Sequence, residues 1–238
     1  MLASRLDMPA NGKPKGFAML VPCFTCSKDL KPMVNLSSAL NESGIAVFRF
    51  DFTGLGESEG DFSGMSYSLM MEDLIDAADY LKENFGTPRL LIGHSLGGCL
   101  VLETARIIPS IKAVVTIGSP SEPSNLSKKL PNTKKEAMKK GSGITEIGGI
   151  KFKLRKEFFD DIESHNLEPY IRELNLPLLV MHSPVDTYGS INESLKIFDS
   201  ARQPKSFISL DNIDHLMLNK KDTAYIGQLI SAWFKRYM

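Results

Sequence analysis

Short apolar runs rich in β-branched residues recur along the chain. They are Phe17–Val21 (FAMLV), Ile45–Phe50 (IAVFRF), Leu90–Gly93 (LLIG), Ala113–Gly118 (AVVTIG), Leu178–His182 (LLVMH) and Ser206–Leu210 (SFISL). Near-continuous apolarity over so few residues indicates strands buried on both faces, as in a parallel sheet covered by helices. Amphipathic stretches separate the runs: Pro32–Ser43, Ser66–Phe85, Leu96–Ile108, Ser190–Ser200 and Asp222–Tyr237. In the second of these, Asp73, Asp76 and Asp79 interleave with apolar residues at helical spacing. Strand–helix alternation of this kind predicts a mostly parallel, doubly wound α/β sheet. LASRLDMP, near the start, adds a candidate antiparallel edge strand.

One region breaks the alternation. Residues 119–175 are too many for a simple connection between strands. They begin with Ser and Pro, pass through the basic stretch KKLPNTKKEAMKK (Lys128–Lys140), and continue as GSGITEIGGIKFKLRKEFFDDIE. ITEIGGIKFKL predicts a hairpin turning at Gly148-Gly149, and Arg155–His165 a helix. The expectation is a single domain over residues 1–238 with a small cap inserted at about 119–175. The lysines are expected to form a solvated face rather than a site for acidic substrates.

Composition narrows the function classes. The chain has 238 residues, 42% of them hydrophobic and 24% charged, with a formal net charge of zero. That balance favours neither nucleic acid nor an anionic membrane as partner. No apolar run approaches the roughly 20 residues that span a bilayer, and MLASRLDMPANGKPKG lacks the apolar core of a secretory signal. Three cysteines make no disulfide framework. A cytoplasmic protein is expected; the oligomeric state is not encoded in any pattern.

The candidate chemistry starts at LLIGHSLGG. Gly93-His94-Ser95-Leu96-Gly97 fits G-x-S-x-G between a predicted strand and a predicted helix, the context in which that motif forms a nucleophile elbow. The small residues let helix pack against strand, and the turn exposes the Ser95 hydroxyl. The helix N-terminus directs backbone N–H groups to the same place. A serine alcohol needs a base, and the base an orienting group. Of the four histidines, His94 adjoins Ser95 and is expected to point elsewhere. His165 lies in the insertion, and His182 ends a strand as a structural residue. His215 (LDNIDHLML) lies in the loop between the last strand and last helix, where a base can reach Ser95. Asp186 (VMHSPVDTYG) follows a strand and supplies the acid. Asp211 and Asp214 read as loop-shaping carboxylates. The chain order Ser95, Asp186, His215 is that of an α/β-hydrolase triad.

Over nearly its whole length the sequence resembles the α/β-hydrolase superfamily, through GHSLGG, HSPVD and DHLML. RFDFTGLGESEG (Arg49–Gly60) resembles that superfamily's D-x-x-G-x-G-x-S turn, which implies a structural role for Asp51 in holding a loop near the site. CFTCSKD, FDFTGLGESEGDF, LLVMHSPVD and PKSFISLD are similar to segments of bacterial hydrolase domains joined to a C-terminal OsmC-type peroxide-reducing domain. With the chain stopping at Met238, just past the last helix, that second domain is expected to be absent.

The resemblance also assigns the loop VPCFTCSKDL. In the superfamily this loop often reads H-G-F or H-G-G and gives one oxyanion-hole N–H; the residue after the nucleophile gives the other. Carried over, Phe24 and Leu96 are the donors. Pro22 and Cys23 depart from the pattern: proline has no N–H, and cysteine lacks glycine's freedom. The C-x-x-C pair Cys23 and Cys26 has three readings: packing thiols in the loop, an oxidisable pair modulating the oxyanion hole, or half of a metal site. Cys99 and the histidines show no spacing that completes a metal site, and packing is the expected role. The expected function is hydrolysis of small carboxylic esters, short-chain or aryl, through an acyl-enzyme on Ser95, with no cofactor or metal. A thioesterase, acyltransferase, amidase or small peptidase would use the same triad. A non-catalytic redox-regulatory protein using Cys23 and Cys26 is the reading from another class.

Overall fold

The computed structural model describes residues 1–238. Seven strands form one sheet in the order β1-β3-β2-β4-β5-β8-β9. These are β1 (Ser4–Asp7), β2 (Gly16–Val21), β3 (Ile45–Phe50), β4 (Pro88–His94), β5 (Ala113–Ile117), β8 (Leu178–His182) and β9 (Lys205–Ser209). All neighbours are parallel except β1, which pairs antiparallel with β3 from Ser4↔Phe50 to Asp7↔Val47. The mostly parallel α/β architecture stands as expected, edge strand included.

Side-chain alternation divides each central strand between two cores. Ala18, Leu20, Ile45, Val47, Leu90, Ile92 and Val115 face α1 (Lys31–Glu42) and α9 (Lys220–Phe234), meeting Met33, Leu36, Ile226 and Ile230. Met19, Val21, Phe48, Phe50, Leu91 and Val114 face the opposite side. There they meet α2 (Tyr67–Asn84), α3 (Leu96–Thr104) and α8 (Ile191–Ser200) through Met70, Leu74, Leu100, Val101 and Ile197. Burial on both faces is why the strands read as unbroken apolar runs. Ser66 caps α2, its hydroxyl accepting from the Leu69 N–H at 3.0 Å. α3 ends at Thr104, short of the Ile108 that periodicity predicts, and the chain continues in turns.

Between β5 and β8 the chain forms α4 (Ser124–Lys129), α5 (Pro131–Lys140), the antiparallel pair β6 (Ser142–Ile147) and β7 (Ile150–Arg155), α6 (Lys156–Ser164) and α7 (Glu168–Arg172). The β6–β7 turn is Gly148-Gly149, both at positive φ. α6 is strongly amphipathic, and its buried Phe158, Phe159 and Ile162 join the core that contains α2 and α3. Lys134 and Lys140 pair with Glu163 and Glu136, and Lys128 bonds Asn125. No helix is long and apolar enough to cross a membrane.

Candidate active site

Parallel strands end together, so residues following β2, β4, β8 and β9 converge on one rim of the sheet. Ser95 follows β4 at φ 54° and ψ −122°, in the sharp turn before α3. A serine rarely adopts positive φ; here its N–H is held by the Ile117 carbonyl at 2.9 Å. The turn closes because Gly93 and Gly97 have no side chains. A Cβ on Gly93 would stand 2.2 Å from the Gly97 carbonyl oxygen. One on Gly97 would stand 2.5 Å from the carbonyl oxygens of Val21 and Pro22. The second contact puts the loop after β2 directly against the start of α3.

His215 lies in the loop between β9 and α9. Its Nε2 is 3.1 Å from Ser95 Oγ, and its Nδ1 is 2.7 Å from Asp186 Oδ2. Donation from Nδ1 to the carboxylate leaves Nε2 as acceptor for the serine proton. Asp186, in the loop after β8, accepts the N–H groups of Tyr188 at 2.7 Å and Gly189 at 2.9 Å on Oδ1. Burial works against its charge, but His215 and these N–H groups outweigh burial and hold the carboxyl below the usual aspartate range. The side chains of Asp186 and His215 are only 2% and 9% exposed, so their hydrogen bond is shielded from water. Asp214 shapes the histidine loop, accepting from Leu216 N–H and Leu218 N–H. Asp211 accepts from the Ser209 hydroxyl.

Two neighbours of His215 carry roles that sequence reasoning missed. His94 is fully buried and its Nε2 lies 2.8 Å from the His215 carbonyl oxygen. Burial first, then the nearby His215, pushes its pKa down to about 3. It is therefore neutral and donates Nε2–H to that carbonyl, pinning the backbone of the loop. Position x in G-x-S-x-G was the available signal. Tyr188 stacks on the His215 ring at 4.9 Å and 19° between planes, and Lys129 Nζ lies 5.8 Å from the tyrosine ring. No periodicity or motif marks that aromatic. His182 is the structural residue expected, with Nδ1 2.6 Å from Ser194 Oγ and Nε2 3.0 Å from the Gly189 oxygen.

The loop after β2 carries Cys23, Phe24 and Cys26. The expectation of two packing thiols is corrected: Cys23 and Cys26 are joined in a disulfide with their Cα atoms 5.2 Å apart. Local sequence proximity, not a framework, makes this pair possible. Phe24 sits between them, its ring packed on Phe62 at 5.6 Å and on Phe158 of α6 at 5.3 Å. Its N–H is engaged by none of the loop carbonyls, and Leu96 begins α3 beside it. Below the loop, Lys28 N–H and Nζ both donate to buried Asp51, at 2.6 and 2.9 Å. Burial opposes the ammonium charge, but hydrogen bonds to Glu57, Asp51 and Asp29 outweigh it and raise the Lys28 pKa. Asp51 thus holds the loop, also accepting the Glu57 N–H at 3.0 Å. No group of three or more His, Cys, Asp and Glu side chains is arranged to hold a metal ion.

Comparison with known proteins adds kinship to this geometry. Residues 28–143 match the family described as serine aminopeptidase, S33. The chain is 40% identical to the solved esterase domain of a Rhodothermus marinus protein, covering 99% of this chain and 93% of that one, with a TM-score of 0.79. The human mitochondrial palmitoyl-protein thioesterase ABHD10 is 29% identical over 235 residues, which span 92% of this chain and 74% of its own. Est1E from Butyrivibrio proteoclasticus, solved with ferulic acid, has the same fold with a TM-score of 0.79 at 19% identity, covering 99% of this chain and 95% of that one.

Proposed function

The chain belongs to the α/β-hydrolase superfamily, and from that premise we propose that it is a serine hydrolase cleaving carboxylic esters of small acyl or aryl groups. The observation that carries this is the continuous chain Ser95 Oγ–His215–Asp186, at 3.1 and 2.7 Å. Ser95 attacks the acyl carbonyl while His215 Nε2 takes its proton. The proton then passes to the leaving alkoxide. Asp186 keeps the histidine proton on Nδ1 and stabilises the imidazolium. The N–H groups of Phe24 and Leu96 receive the oxyanion, each such donor being worth about 2.7–4 kcal/mol. Water activated by His215 releases the acid and restores the serine. In this reading residues 119–175 act as a cap, since Phe158 of α6 packs on Phe24. We propose as well a kinship with bacterial hydrolase domains joined to OsmC-type partners, supported by the similarity of CFTCSKD, FDFTGLGESEGDF, LLVMHSPVD and PKSFISLD to their segments.

A thioester is the second substrate class to consider, favoured by the 29% identity to a palmitoyl-protein thioesterase. The test is a panel of p-nitrophenyl esters, acyl thioesters and amides, with a fluorophosphonate probe alongside. Ester turnover and labelling that disappear together in Ser95→Ala support the proposal. Folded wild-type protein that neither labels nor turns over any ester would refute it; faster thioester turnover would move the substrate class.

A further inference from the structure

We infer that the Cys23–Cys26 disulfide is a thiol–disulfide exchange site that sets the aim of the oxyanion-hole donor, so that a dithiol reductant lowers the hydrolase activity. The inference rests on the hydrolase reading given above. The donor Phe24 lies inside the four-residue ring that the disulfide closes.

Both ends of this segment are fixed by other means. Upstream, Val21 belongs to β2 and pairs with Gly93 of β4. Downstream, Lys28 is clamped to Asp51 through its N–H and its ammonium. Only residues 22–27 between these anchors depend on the ring. Within it, Thr25 stands at φ 66°, an unfavourable conformation for a β-branched residue. The ring's remaining backbone restraint is the hydrogen bond from Cys26 N–H to the Cys23 carbonyl at 3.1 Å. Opening the disulfide removes the covalent constraint and lets Thr25 relax to negative φ, which turns the Phe24–Thr25 peptide and the donor beside it. The Phe24 ring remains between Phe62 and Phe158, so the change stays local to the backbone.

The pair is also open to exchange from one side. Cys23 is buried, whereas Cys26 is partly exposed. A dithiol's thiolate attacks the Cys26 sulfur, forming a mixed disulfide and expelling Cys23 as thiolate, which takes up a proton. The reagent's second thiolate then attacks its own sulfur in the mixed disulfide and releases Cys26, which is protonated in turn. The protein gains two thiols, and the dithiol is oxidised to a cyclic disulfide. Cys99 stays out of the exchange because it is fully buried and burial pushes its thiol pKa up.

An oxyanion donor acts in the transition state, so a misaimed donor lowers kcat and leaves KM nearly unchanged. Removing such a donor outright costs about 10²–10³ in kcat; misaiming one should cost at least about tenfold. The experiment compares oxidised protein, protein treated with dithiothreitol and then desalted, and reoxidised protein. In each state, thiols reactive in the folded protein are counted and p-nitrophenyl acetate kinetics measured. The expected counts are zero, two and zero, with kcat falling and recovering in step. Cys23→Ser/Cys26→Ser should match the reduced state whether or not dithiol is added. Two reactive thiols with unchanged kcat would overturn the inference, as would a count that never rises from zero, or a double variant as fast as oxidised wild type. Fluorophosphonate labelling of the oxidised protein keeps the two readings apart: no labelling refutes the hydrolase, whereas labelling without redox response refutes only the switch.

Discussion

His215 is fixed from three directions. Asp186 binds Nδ1, Tyr188 stacks on the ring, and His94 holds the backbone carbonyl. Asp186→Asn preserves the shape of the first contact but reverses its preference for the histidine tautomer. The expected outcome is a fall in kcat of about 10³–10⁴ with KM little changed, in steady-state ester hydrolysis. Only intact turnover in that variant would remove Asp186 from the triad. His94 contributes through pH instead. Its folded pKa is about 3, against about 6.5 for an unfolded histidine. Between those values the unfolded chain binds a proton that the folded chain refuses, so stability falls on acidification by up to about 1.4 kcal/mol per pH unit from this group. Above pH 6.5 it has no effect. His94→Gln, which keeps a donor but cannot titrate, should lose less stability than wild type between pH 6.5 and pH 4.5 in urea unfolding. Parallel pH profiles for the two proteins would disprove the assignment.

At the scale of elements, the elbow depends on backbone touching backbone. Gly93→Ala would push a methyl group to 2.2 Å from the Gly97 carbonyl oxygen and 2.6 Å from the Gly98 Cα. Neither neighbour is a flexible side-chain end, so β4 and α3 must separate. Overpacking of this kind costs typically about 1–3 kcal/mol. The variant should melt lower and lose turnover together, as differential scanning calorimetry and an ester assay would report; full activity would show that the elbow tolerates a wider angle. The elbow was legible because its constraint is local: residues 93–97 carry the strand end, the small neighbours and the helix start. Asp186 and His215 were legible because strand order places the ends of β8 and β9 near that of β4. The closure of Cys23 onto Cys26 was not. The C-x-x-C spacing is equally compatible with free thiols, a disulfide or two metal ligands, and only the folded loop, with the two Cα atoms 5.2 Å apart, distinguishes them. His94 and Tyr188 escaped for a related reason. Their partners on the histidine loop are remote in sequence, and no periodicity marks a residue whose task is to hold another.

At the scale of the whole molecule, residues 119–175 are joined to the sheet core by a polar cluster as well as by the aromatic packing of α6. His165, just past α6, places Nδ1 2.9 Å from Glu103 Oε1 of α3 and Nε2 3.2 Å from Ser68 Oγ of α2. Ser68 in turn donates to Asp161 of α6 at 2.7 Å. Glu103 is almost entirely buried and its Oε2 has no hydrogen-bond partner; its Oε1 bonds His165, and the buried Tyr67 side chain lies close by. α3 is also the helix that begins at the Ser95 turn, which ties the inserted segment to the element presenting that serine. His165→Ala would leave Glu103 Oε1 without its hydrogen-bond partner, at a cost of about 1–3 kcal/mol. Removing both partners is a different matter, because replacing both members of a buried hydrogen bond by apolar groups of similar shape can be nearly neutral. The double variant Glu103→Leu/His165→Phe should therefore recover most of the stability lost by His165→Ala, measured by urea unfolding. Its ester turnover should stay close to wild type, since neither residue touches Ser95, His215 or Asp186. A double variant as unstable as the single one would mean that the cluster's geometry, rather than the pairing of its buried polar groups, holds the segment in place. Recovered stability with lost turnover would instead make the His165–Glu103 contact part of how α3 presents its serine.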